Sequence, residues 1–309
     1  MGDIIPDYQS CQYMLLTIYV STNSFSLEQK GDNMFPSRIS THTTPSPPTP
    51  AFMQVWKELM QRECHNHSVW QTEFVRDLKE GDPIVAFQLA EMWSINMVAG
   101  SYCFPRYVAA LASRAEEDVI RHGLLENAWD ESGSYGHTSR SHFWLAVKLA
   151  KLLGLSEKEI EDIKPIPEAQ HYTDLHFKEC AKGNFSFALG MICLIEEFTT
   201  PEFTLIFKTF LRTCREGLGI NSDDFVLQGG AEYFTANIAD DERHREEMPR
   251  IVATWLASQG TDLESREEVD AGLKDVRAGV RYSADLRERF FNGIYRVITS
   301  GGTVRELYQ

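Results

Sequence analysis

The chain has 309 residues, 43% of them hydrophobic and 24% charged, which is enough to bury the core of one large domain or two small ones and excludes a disordered or fibrous protein. Thirty Lys and Arg stand against 45 Asp and Glu, and the resulting net charge of −15 repels the phosphate backbone that supplies most nucleic-acid affinity. The longest apolar run, Met14 to Val20 after Tyr13, falls far short of the ~20 residues of a spanning helix, and Asp3 and Asp7 ahead of it give the wrong charge for a secretory signal.

Residues 1–51 read as a disordered leader, because Pro36, Pro45, Pro47, Pro48 and Pro50 within a Ser/Thr-rich stretch prevent a continuous helix or central strand. From Phe52 to the end of the chain, residues 52–309, the dominant period is helical, and alternating Val/Ile/Thr runs bounded by turns are missing. The expected fold class is all-α. Helices are predicted near 52–78, 83–99, 105–129, 139–154, 157–163, 168–197, 202–216, 223–257, with Pro249 a candidate break, and 263–299. Ser156 with Glu159 has the pattern of a capping box, and Gly154 is a plausible stop for the helix before it. Six cysteines, Cys11, Cys64, Cys103, Cys180, Cys193 and Cys214, have no C-x-x-C spacing. They suggest neither a disulfide framework nor a thiolate zinc site, and the reducing cytoplasm is the expected compartment.

The informative residues are carboxylates and imidazoles at positions where the helical period calls for a core residue, since an unpaired buried charge is costly. Around Glu91, the residues at i−7, i−4, i+4 and i+7 are Ile84, Phe87, Ile95 and Val98. Glu196 shares a face with Leu189 and Ile192, whereas Glu197 lies about 100° round the helix. His142 precedes Leu145, Ala146, Leu149 and Leu153 on one face. Farther along, Asn237, Asp241 and His244 fall within an arc of roughly 60°, and Phe234, Met248 and Ile251 continue their stripe. Asp240 lies within about 40° of His244, so either aspartate can be the inward carboxylate. Carboxylates and histidines that converge from separate helices are neutralised most simply by a metal, and oxygen-plus-imidazole ligation suits iron or manganese.

The segment Glu126-Asn-Ala-Trp-Asp-Glu-Ser-Gly133, followed by His142 and a helix ending in Leu153-Gly154-Leu155, resembles the second core helix region of the heme-oxygenase-like di-iron oxidases, also called iron-containing redox enzymes. Glu91, Glu196 and the Asp241-x-x-His244 pair then follow in that family's order, over roughly residues 83–298. The resemblance implies a heme-oxygenase-like helical bundle. It implies Glu91, Glu131, His142, Glu196, Asp241 and His244 as ligands of two Fe(II) ions. O2 would be the cosubstrate, and a small amino-acid-like, amine or fatty-acid molecule would be N-oxygenated, desaturated or cleaved. Two positions depart from the pattern. Eleven positions separate Glu131 from His142, which leaves His137 as an alternative imidazole, and Asn237 stands where the family often has a third histidine. An amide is a poor iron ligand beside imidazole, so one of the two ions is expected to be weakly held.

The other histidines read more simply. His65 and His67 are expected to face solvent, His122 and Glu126 to form a surface i,i+4 contact, and His171 and His176 not to share a face. Arg277, Arg281, Arg287 and Arg289 on the last helix could place a guanidinium near a substrate carboxylate, against the simpler reading of four surface residues on an acidic protein. The expected partners are a small-molecule substrate and a second copy of the chain, with neither nucleic acid nor membrane. The alternatives are a metal-free enzyme of the same fold, resembling the thiaminase or pyrroloquinoline-quinone-synthase branch, and a non-catalytic helical interaction protein.

Overall fold

The structure, a computed structural model, describes residues 47–133, 141–216 and 221–303, leaving aside the side chain of Asp241. The leader expected over 1–51 falls almost wholly outside these residues, as does His137. No strand occurs among the described residues. The helices are α1 (Pro50–Met60), α2 (Glu73–Glu80), α3 (Pro83–Ala112), α4 (Asp118–Glu131), α5 (His142–Leu152), α6 (Glu157–Glu161), α7 (Pro167–Lys182), α8 (Phe185–Glu216), α9 (Ser222–Leu227), α10 (Glu232–Ser258), α11 (Arg266–Gly272) and α12 (Lys274–Thr299). None of them is long and apolar enough to cross a membrane. None of the five described cysteines is in a disulfide.

Helix α8 is the axis of the bundle and packs against α12, α10 and α3, while α3 in turn carries α4, α5 and α7. Two glycines set the closest approach. A Cβ at Gly190 of α8 would lie 2.0 Å from the Val276 carbonyl oxygen, and one at Gly279 of α12 would lie 1.9 Å from that of Phe187. The α8 and α12 backbones therefore touch where any side chain would hold them apart.

Helix boundaries follow local chemistry. Asp82 accepts from the amides of Ile84 and Val85, and Pro83 supplies the preset φ of a first helical residue. The expected capping box forms at Ser156 and Glu159, and Gly154 has a φ of +98° just past α5. Several expected boundaries differ. The helices expected over 105–129, 223–257 and 263–299 are interrupted at 113–117, at 228–231 and at Leu273. A π-helical turn over Gln61–His65 and a 3-10 turn over Ser68–Gln71 separate α1 from α2, where one helix over 52–78 was expected. Pro105 and Pro201 lie inside α3 and α8 instead of between helices, because buried neighbours on both sides, Phe104 and Tyr107 in α3 and Phe198 and Phe203 in α8, hold each helix together. The break comes at Gly183-Asn184 instead. There the Asn184 side chain accepts from the Phe187 amide, and Arg114 donates to the Glu179 and Cys180 carbonyls at the end of α7.

His176 of α7 is a structural histidine. It is fully buried, with Nδ1 2.7 Å from the Tyr172 carbonyl oxygen and Nε2 2.8 Å from the Ser283 hydroxyl. Nδ1–H therefore donates to Tyr172 and Nε2 accepts from Ser283, which fixes the neutral tautomer. Burial pushes its pKa down to about 3, against the opposing effect of the Tyr172 carbonyl.

Three outcomes are expected. Gly190→Ala and Gly279→Ala each lower stability in urea unfolding by about 1–3 kcal/mol. Gly100→Ala, whose Cβ meets nothing nearer than the Met97 methyl at 3.4 Å, leaves stability unchanged or raises it. For His176 the unfolded chain binds the extra proton, so stability falls as pH drops below the unfolded value of 6.5 and goes on falling toward 3. Between pH 7 and pH 5 this loss is about 2 kcal/mol, and His176→Gln abolishes that part of the acid sensitivity.

Candidate metal centre

Four helices bring the polar residues together. The last turn of α4 carries Asn127, Asp130 and Glu131, α5 begins at His142, α8 supplies Glu196, and α10 supplies Asn237, Asp240 and His244. All eight are buried. Ser141 places the first imidazole: its hydroxyl accepts from the Trp144 amide, which fixes His142 as the first residue of α5.

The two histidines have matching surroundings. His142 Nδ1 is 2.7 Å from Glu131 Oε2, and its Nε2 is 3.2 Å from Asp240 Oδ2. His244 Nδ1 is 3.4 Å from Glu196 Oε2, and its Nε2 is 3.5 Å from Asp130 Oδ2. Each imidazole thus turns Nδ1 to a glutamate and Nε2 to an aspartate. The second pair is looser, and neither His244 Nδ1 nor Glu196 Oε2 forms an aligned hydrogen bond. The other oxygen of Glu196 is fixed, since Asn127 donates to it at 2.7 Å. Arg243 donates to Asp130 and has its Nη2 3.1 Å from His244 Nε2.

Burial alone would push the His244 imidazole down, but the charges of Glu196 and Glu131 and the contact with Asp130 raise its pKa to about 11. Burial would likewise raise Asp240, yet the hydrogen bond and charge of His142, with His244 and Arg243 behind it, hold that carboxyl below its usual range.

Of the residues expected to ligate a metal, Glu131, His142, Glu196 and His244 therefore lie in one cluster. Glu91 sits half-buried on α3, and the Asp241 side chain is outside the described atoms. Asp240 is the aspartate of α10 that meets His142. Glu197 points away from the cluster, as its angular offset predicts, and pairs with His65 at 2.8 Å. His67, expected in solvent, instead accepts from the Val69 amide and contacts Asp285 at 3.1 Å. His122 and Glu126 are exposed as expected. Sequence reasoning missed Asp130 and Asn127, which sit one turn apart beside Glu131 on the buried face of α4.

The donor types suit iron: buried imidazoles and carboxylates, no thiolate, and two donor atoms left unsatisfied opposite each other. Among the described residues the groups stand in pairs, and no three His, Cys, Asp or Glu side chains already surround one point. A cavity of about 50 Å³, open on one side, adjoins the cluster. Glu131 and Asn237 line it, as do the aromatic residues Phe104, Phe203 and Phe290. The Asn237 Nδ2 donates to the Tyr233 carbonyl at 2.6 Å, which leaves the amide oxygen as its remaining polar atom.

Glu196→Ala is expected to abolish retained iron and Glu197→Ala to leave it unchanged, measured as iron per chain after anaerobic loading and desalting. The opposite result would overturn the facing of α8.

Known proteins resemble this chain. "4-aminobenzoate synthase" of Chlamydia pneumoniae is 24% identical over 219 residues, which cover 70% of this chain and 91% of that protein. "4-aminobenzoate synthase" of Chlamydia trachomatis serovar D is 27% identical over 173 residues, 55% of this chain and 68% of the relative. A CADD-like protein of unknown function from Nostoc punctiforme superposes with a TM-score of 0.57 at 20% identity, covering 79% of this chain and 97% of that one. A domain of unknown function with a heme oxygenase-like fold, from Shewanella denitrificans, does so with a TM-score of 0.54 at 16% identity, covering 81% and 93%. The family model described as iron-containing redox enzyme matches residues 91–278, the span that holds every residue of the cluster, and the chain belongs to that family.

Proposed function

We propose that the protein is a non-heme, di-iron oxidoreductase that uses O2 on a small amine or amino-acid-like substrate, and that 4-aminobenzoate or a related aromatic amine is the candidate product. The observation that carries this reading is the matched pair of buried imidazoles, each between a glutamate and an aspartate, with Glu196 Oε2 and His244 Nδ1 facing each other unsatisfied. The name of the chlamydial relatives supports the product class.

Glu131, His142, Glu196 and His244 would hold the metal, with Glu91 and Asp241 completing the set. Bound ferrous iron supplies the electrons that reduce O2. The protein's own part is orientation and exclusion of water. Asp240, at the Nε2 side of His142, keeps that imidazole in the tautomer that presents Nδ1. Asn127 holds Glu196 by one oxygen and leaves the other available. Arg243, anchored on Asp130, stops that aspartate from swinging out to solvent. Phe104, Phe203 and Phe290 give the adjoining cavity apolar walls, which favour a substrate with an apolar body over bulk water.

Asn237 would make two metal positions in this cluster unequal. Its amide is tied to the Tyr233 carbonyl, so the position beside it has fewer strong donors. Anaerobic ferrous titration followed by desalting is expected to retain about one iron per chain, and Asn237→His to raise this toward two. A transient visible absorption on admitting O2 to the loaded protein would support the oxidase. Two equally tight sites in the wild type would contradict the role given to Asn237. No iron binding together with stabilisation by small ligands would favour the metal-free enzyme.

A further inference from the structure

The cavity beside the cluster also meets a second buried charge centre, which the proposed iron chemistry does not use. Arg287 of α12 is 4% exposed, and it lines the same cavity as Glu131 and Asn237. It is the one of the four candidate arginines on this helix that turns inward: Arg277 pairs with Asp270, and Arg281 and Arg289 are exposed. Its Nη1 donates to Glu202 at 3.3 Å, its Nη2 donates to the Tyr172 hydroxyl at 3.1 Å, and its guanidinium carbon lies 4.6 Å from the centre of the Tyr172 ring.

A structural ion pair would be expected to use up its hydrogen-bonding groups, because each buried polar atom left without a partner is costly. This one does not. Arg287 Nε has no partner, and neither has Glu202 Oε2, although Glu202 Oε1 accepts from both Trp93 and Arg287. The contact is a single one at 3.3 Å instead of the two parallel bonds that guanidinium and carboxylate form when each satisfies the other. Nε–H and a second hydrogen on Nη2 are the edge of the guanidinium that takes a carboxylate side-on. Tyr107, 3% exposed, also lines the cavity, and none of the hydrogen bonds among the described residues involves its hydroxyl.

We propose that this cavity is a receptor for a small carboxylate with an apolar, single-ring body, its carboxylate bound by Arg287 together with the Tyr107 hydroxyl. The inference rests on the reading of the neighbouring cluster as the reactive centre only for which end of the ligand reacts: the carboxylate anchors at α12, and the far end of the ring points to Glu131 and Asn237. Phe104, Phe203 and Phe290 supply the faces between which a flat ring lies. The enclosed space of about 50 Å³ limits the ligand to a small molecule that extends toward the open side. Glu202 keeps the guanidinium in place and compensates its charge when no ligand is present, and so competes with the ligand for it. Burial raises the Glu202 carboxyl above its usual range despite Arg287 and Trp93, which eases its protonation when a second carboxylate arrives.

The test uses the full chain stripped of metal with a chelator, so that a carboxylate has no metal to bind, and calorimetric titration with benzoate, 4-aminobenzoate and the neutral isostere benzamide. Benzoate and 4-aminobenzoate are expected to bind at least about tenfold more tightly than benzamide, the size of a charge-assisted hydrogen bond. Arg287→Gln removes that preference. Tyr107→Phe weakens benzoate severalfold while leaving benzamide unchanged. Glu202→Gln removes the competing anion while its amide oxygen still accepts from Trp93, so it tightens benzoate and not benzamide. Equal binding of benzoate and benzamide to the wild type, absence of benzoate binding, or a preference that survives Arg287→Gln would each overturn the proposal. Should Arg287→Gln fail to fold, the benzoate-to-benzamide ratio in wild type and Glu202→Gln decides it: an unchanged ratio counts against the receptor. Because the assay contains no metal, its failure leaves the iron reading standing, and failure of the iron titration leaves this receptor standing.

Discussion

The molecule is organised around charge taken out of water. A helical bundle has no difficulty burying Leu, Phe and Val, but each carboxylate placed among them must meet a cation or a donor, and each imidazole a partner at both nitrogens. Here Glu131, Glu196, Asp130 and Asp240 meet His142, His244 and Arg243, while Glu202 meets Arg287. Four helices must keep their rotation and register for these pairs to form. A quarter turn of α8 would bury Glu197 and leave His244 without its glutamate. Apolar packing alone does not fix rotation so tightly, since one leucine stripe substitutes for another with little loss.

Helix α8 shows how the two charge centres are kept apart. Glu196 and Glu202 are six residues apart, so their Cα atoms are about 9 Å apart along the axis and their side chains leave in different directions. One reaches α10 and the other α12. That spacing holds only if α8 is continuous through Pro201, and the continuity comes from the buried Phe198 and Phe203 on either side. The Gly190–Gly279 contact sets the distance between α8 and α12 near the start of both helices. The salt bridge of Arg287 with Glu202 is made two turns farther along α12, where side chains replace direct backbone contact.

Much of this was legible in the sequence, and what was not has identifiable causes. Glu196, His142 and His244 stood out because a polar residue interrupted an apolar stripe. The same rule applies to Glu202, which has Ile195, Phe198 and Ile206 on its face, so the signal was present and unused. Asp130 is different, since it adjoins Glu131 and the periodicity cannot say that both are buried. Its burial depends on Arg243, a residue of another helix. Arg287 was hidden for a related reason: four arginines on one amphipathic helix look alike until the partner at Glu202 is known. Helix boundaries at Pro105 and Pro201 went the other way, with tertiary packing overriding a strong local preference. The choice between Asp240 and Asp241 is one of about 100° of helix rotation, which an apolar stripe alone does not resolve. Asp240 meets His142.

The paired state of the cluster bears on how such a centre can be built into a fold at all. A site made only of carboxylates would repel itself until a cation arrived, and the helices would have no reason to converge without one. Interleaving two imidazoles changes this, because a protonated imidazole supplies within the cluster a positive charge of the kind that a metal ion would otherwise bring. Glu131 and Asp240 flank one ring, Glu196 and Asp130 the other, so each ring lies between two negative charges. The helices are thus held in register by the same atoms that would ligate iron. The residues that do not face the central gap, Asn127 and Arg243, fix the ends of this chain of contacts and leave the slack in its middle, at the 3.4 Å separation between Glu196 and His244.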